Sequence, residues 1–103
     1  MSDLPEPPPT HQEFTSTFPE LAEAWEILGK AGKDGPLDDK TVRLLKLAVA
    51  MGAQHEGAVH ASVRKALAMG ITREELEQVV ALSAATLGLP RTVAVYTWVT
   101  DLL

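Results

Sequence analysis

The stretch MGAQHEGAVHASVRKALAMG, residues 51–70, holds two of the chain's three histidines, His55 and His60, together with Glu56. Glu56 and His60 are four apart, so on a helix their carboxylate and imidazole lie one turn apart on the same face. A carboxylate fixes the tautomer and orientation of an imidazole, and such a pair can pass protons as general acid and base. Glu56 and His60 are therefore the candidate catalytic residues. Val63 and Leu67 continue their row, which places the pair on or beside an apolar stripe. The alternative is a mutually satisfied polar pair that ties this helix to a neighbour. His55, at the start of the same helix, is a candidate substrate-binding residue or else a surface or capping one. His55 and His60 are five apart and point roughly 140° away from each other around a regular helix. Zinc proteases use same-face histidines at i, i+4 instead, so no metal or other cofactor is expected. Arg43 lies on another apolar segment, where a guanidinium suits bidentate recognition of an anionic substrate. A surface arginine, or one bridged to Asp39 or Glu56, is its alternative.

The elements that must position these groups are helical. The 103 residues suffice for one domain. Hydrophobic residues make up 46% of the chain and charged residues only 22%. That is apolar for a monomer so small, whose high surface-to-volume ratio calls for polar cover, so the excess points to subunit interfaces and a homo-oligomer. There is no cysteine, which removes disulfides, thiolate metal sites and thiol redox chemistry. A net charge of −5 disfavours nucleic acid or an anionic membrane as partner. Met1–Thr10 has neither a basic start nor an apolar run of the kind a signal peptide carries, and no apolar stretch is long enough to cross a bilayer. A cytoplasmic protein is expected.

Residues 1–12 carry four of the seven prolines and read as a proline-rich tail ahead of a helical domain over 13–103. A first helix is predicted over about Phe18–Lys30, with Thr17 and Glu20 at capping-box spacing, Pro19 in its first turn and an apolar stripe of Leu21, Trp25 and Leu28. The Gly- and Pro-containing run Ala31–Pro36 breaks it. A second begins at Asp38 or Asp39 and runs to Met51 with two stripes, Val42/Leu45/Val49 and Leu44/Leu47/Met51, so it is expected to be covered on most sides. The third, Gln54 to Met69, ends at Gly70, a candidate left-handed position. Thr72 and Glu75 form a capping box for the fourth, which continues to Leu87 with Leu76, Val79, Val80, Ser83 and Leu87 toward the core. After Gly88 and Pro90 a fifth runs over about Arg91–Leu102. Trp25, Tyr96 and Trp98 are expected as core or interface anchors. No segment alternates with period two, so the fold is read as all-α with five helices.

Leu37-Asp38-Asp39-Lys40-Thr41, Leu47-Ala48-Val49-Ala50, Lys65-Ala66-Leu67, Gly70-Ile71-Thr72-Arg73-Glu74-Glu75-Leu76 and Gly88-Leu89-Pro90, in that order, resemble the carboxymuconolactone decarboxylase and alkylhydroperoxidase D-like superfamily. The resemblance implies an all-helical domain assembled as a trimer or hexamer, with active sites near subunit interfaces. Redox members of that superfamily carry Cys-x-x-Cys-x-x-x-His, and counting back from Gly70 those positions fall on His55, Ala58 and Ser62. An upstream Glu position falls on Arg43. Peroxide reduction by that route needs two thiols, so peroxiredoxin-type activity is not expected. The decarboxylase branch needs no cysteine and uses a histidine, which aligns with Ser62. His60 is two residues away, about 200° around the helix.

The expectation is a cysteine-less member with acid–base chemistry, of decarboxylase or lyase type, on a small anionic substrate. Glu56 and His60 would be catalytic, and Arg43, His55 and Ser62 would bind substrate. The alternative is a non-catalytic oligomeric module that binds a ligand or a protein.

Overall fold

The computed structural model describes residues 9–103, which form six helices and no strand among them: α1 Pro9–Thr17, α2 Pro19–Lys33, α3 Asp39–Gly52, α4 Glu56–Ala68, α5 Arg73–Leu87 and α6 Leu89–Thr100. The all-α reading holds, with six helices in place of five. The additional helix, α1, starts inside the stretch read as a tail, and residues 1–8 of that stretch lie outside the described residues. Pro9 is compatible with a helix start, because the first-turn N–H groups have no intrahelical acceptor and a missing one costs nothing there. No apolar periodicity announced α1, and it buries no residue.

Local chemistry sets most boundaries. Asp38 caps α3, its carboxylate accepting from the Thr41 amide at 2.8 Å. Thr72 and Glu75 form the predicted capping box of α5, each side chain accepting from the other's backbone N–H. Gly70 and Gly88 have φ of +83° and +82°, a region open to glycine and strained for residues with a Cβ. Gly88 thereby ends α5 and opens α6 in one residue, with Pro90 in the first turn. Two expectations fail. Thr17 does not cap α2, because it is the last residue of α1 and its hydroxyl donates to the Glu13 carbonyl at 2.7 Å; the cap position is Phe18, with no side-chain bond. The third predicted helix begins at Glu56 instead of Gln54, because Gln54 is left-handed at φ +57°. The Gln54 amide nitrogen Nε2 donates to the Met51 carbonyl at 2.9 Å, which helps hold the tight α3–α4 turn.

The core lies among the last four helices. Helix α3 packs on α4 and α5, and α6 packs on the same two, closing a four-helix ring. Leu47, Ala50 and Met51 of α3 meet Val59, Val63 and Ala66 of α4, Leu76 and Val80 of α5, and Val95 and Val99 of α6, with Ile71 below them. Each fully covered Leu or Val contributes about 1.5–3 kcal/mol relative to exposure. Only one of the two α3 stripes is used. Leu47 and Met51 are sealed, while Leu45 and Val49 stand 49% and 71% exposed, so α3 is not covered on most sides within one chain. Helix α2 buries nothing, and Trp25 on its stripe is 72% exposed. Trp98 packs against the core, whereas Tyr96 faces outward. No helix of the described residues is long and apolar enough to cross a membrane.

Candidate functional site

Helix α4 opens with the three residues that stand out in the sequence, and each does something different. His55 is the N-cap: its Nδ1 accepts from the Ala58 amide at 3.2 Å. That bond satisfies one of the orphan amides of the first turn and places the ring against the helix start. The capping alternative for His55 is the geometry found. Glu56 follows in the first turn and is exposed. One turn later the His60 ring leaves α4 toward the end of α6, and its Nε2 lies 3.0 Å from Oδ2 of Asp101.

Asp101 is therefore the direct partner of His60, and the buried Glu56–His60 pair is not formed. Glu56 still belongs to the group. One donor atom each from Glu56, His60 and Asp101 lie within 4.8 Å of one another. The His60 side chain is 25% exposed and that of Asp101 52%, so the imidazole is largely held while both carboxylates reach solvent. With Asp101 ionised, Nε2–H donates to it and Nδ1 keeps the ring's free lone pair. Asp101 carried no signal in the sequence. It is 41 residues from His60, and periodicity within a helix says nothing about a contact between helices.

Arg43 belongs to another neighbourhood. It is half-buried on α3, its Nε is shielded from water without a hydrogen-bond partner, and desolvation pulls its pKa below the ordinary value. It bridges neither Asp39 nor Glu56; the ion pairs among the described residues are Lys40–Glu75, His60–Asp101 and Arg73–Glu77. Lys65 is near it. Desolvation first, then the positive charges of Arg43, Lys46, Arg64 and Lys33, hold the Lys65 ammonium below its ordinary value. The charges that act on Lys65 thus come from α2, α3 and α4, in a chain whose net charge is negative. Ser62 is buried within α4. The five sequence candidates accordingly divide: Glu56 and His60 gather with Asp101, His55 caps, Arg43 sits in the basic group, and Ser62 lies inside.

Two concavities open on α3, and neither is lined by Glu56, His60 or Asp101. The larger, about 500 Å³, runs between α3 and α5, with Leu44, Leu45, Val79 and Leu82 as apolar walls and Thr41 and Ser83 as polar points. The smaller lies over the outward stripe Val42, Leu45 and Val49, beside Gly32 and Leu37.

This arrangement of helices is one already known. The sequence model of the carboxymuconolactone decarboxylase family matches residues 19–101, which take in every described helix except α1. The chain belongs to the carboxymuconolactone decarboxylase family. Among solved structures it is similar to an apo carboxymuconolactone decarboxylase family protein from Legionella pneumophila. The TM-score is 0.79 at 26% sequence identity, over 90% of this chain and 84% of that one. No curated protein sequence matches the chain. The 103 residues contain no cysteine.

Proposed function

We propose that the protein is an acid–base catalyst of decarboxylase or lyase type acting on a small anionic substrate, with His60 as the proton-transferring group. The observation that carries this reading is the 3.0 Å contact between His60 Nε2 and Asp101 Oδ2. Asp101 orients the ring, Nδ1 takes or returns the proton, and Glu56 is close enough to serve as a second acid–base group. An anionic substrate fits the cations around Arg43 and Lys65, none of which is in an ion pair among the described residues. The test is a panel of small lactone and β-keto carboxylates, followed by loss of carbon dioxide or of the lactone chromophore. His60→Gln is expected to lower kcat by about 10²–10⁴-fold, the range general acid–base groups supply, with the helical spectrum unchanged. Asp101→Asn is expected to follow it. Turnover that is indifferent to both changes would remove the reading.

A second reading is a non-catalytic, homo-oligomeric binding module, and the exposed stripes favour it. Leu21, Trp25 and Leu28 on α2 and Leu45 and Val49 on α3 are all about half exposed or more. Apolar rows of this kind are the usual mark of an interface. Both readings accommodate a trimer or hexamer; only the first requires chemistry at His60.

A further inference from the structure

We propose that Glu56, His60 and Asp101 form a binding site for a divalent first-row transition-metal cation. The donor set comes from two helices that pack on each other: Glu56 and His60 share a face of α4, and Asp101 follows the last turn of α6. Around a cation with bonds of about 2.0–2.2 Å, neighbouring donors in tetrahedral or octahedral arrangements stand roughly 3.0–3.5 Å apart. His60 Nε2 and Asp101 Oδ2 are already 3.0 Å apart, and all three donor atoms fall within 4.8 Å. The remaining adjustment falls on Glu56, an exposed side chain in a first turn that can change rotamer freely.

Charge argues the same way. Two carboxylates face one imidazole, and among the described residues no lysine or arginine pairs with either of them. A divalent cation neutralises that concentration of negative charge. One imidazole nitrogen with two carboxylate oxygens suits Zn²⁺, Mn²⁺ or Fe²⁺ better than the all-oxygen sets that Ca²⁺ and Mg²⁺ take. Three protein donors leave a coordination position for water or an anionic ligand. The pair of histidines weighed in the sequence is not involved: His55 spends its Nδ1 on the helix cap, and the third donor is one that only the fold supplies. The assignment uses the same side chains as the acid–base reading but does not depend on it.

Calorimetric titration of zinc chloride into the chelator-washed full chain tests it, with manganese chloride as a second probe. One zinc per chain is expected. His60→Ala and Asp101→Asn should each weaken binding roughly tenfold or more, comparable to losses on disturbing metal shells, while His11→Ala leaves it unchanged. Should His60→Ala fail to fold, Glu56→Gln, on an exposed side chain, carries the same test and should weaken binding too. Absence of zinc binding, or unchanged affinity in the folded variants, overturns the proposal. The two readings fail separately. No zinc binding with turnover still lost in His60→Gln removes the metal and keeps the acid–base role; zinc binding in a chain without turnover does the reverse.

Discussion

An imidazole held at one nitrogen by a carboxylate has its other nitrogen left for chemistry, and His60 is the one histidine of α4 in that condition. His55, five residues earlier, has an acceptor nitrogen committed to the Ala58 amide. The difference was half visible in the residues themselves. Their spacing brings Glu56 and His60 to one face, since that relation is local to a helix. Asp101 was out of reach of such reasoning, because its contact depends on how α4 and α6 lie against each other. Arg43 is the complementary case. Its Nε is shielded and unpaired, and a buried donor without an acceptor costs stability that an apolar side chain of similar length does not. Arg43→Met is therefore expected to leave the thermal midpoint unchanged or higher, while affinity for an anionic ligand falls; a lowered midpoint would show that the guanidinium has a stabilising role.

Among the elements, the starts capped by Asp38 and Thr72 were the legible ones. The Thr72–Glu75 box and the Asp38 start follow from residue types at fixed spacing, and both form as read. Thr72→Ala should cost about 1 kcal/mol in urea denaturation, the usual loss for an N-cap. The Lys40 ammonium first, and then the Thr72 amide, lower the pKa of Glu75 below its ordinary 4.5. A lowered carboxylate contributes stability that is present above 4.5 and lost as pH falls through its folded value. In Glu75→Gln the acid limb of the stability profile should flatten. Lys65 has the opposite sign. Its folded pKa lies below 10.5, so carrying the charge is a cost at neutral pH that is relieved as pH rises through the folded value toward 10.5. Lys65→Met should raise the urea midpoint at neutral pH, and the gain should shrink in alkali. The starts of α2 and α4 were illegible for a different reason. Helix α1 claims Thr17, and Gln54 adopts a left-handed turn that its residue type does not advertise.

For the molecule as a whole, apolar composition and exposed surface agree. Counting hydrophobic residues forecast surface that one chain cannot cover, and α2 with the outer stripe of α3 is where it lies. Trp25→Glu is expected to reduce the oligomer mass measured by light scattering while the α3–α6 unit keeps its helical signal. An unchanged mass would show that Trp25 lies in no subunit interface. The ring of four helices also sets an order of events. Helices α3 and α4 are neighbours in sequence, as are α5 and α6, so each hairpin closes over a short loop, and joining the hairpins is the step with distant contacts. The bond between His60 and Asp101 spans that join. A chain arrested with its hairpins apart has Glu56 and His60 but lacks their third member, so the site matures only when folding is finished. Replacing His60 by alanine should then quicken unfolding and leave the refolding rate nearly untouched, as for contacts made after the barrier.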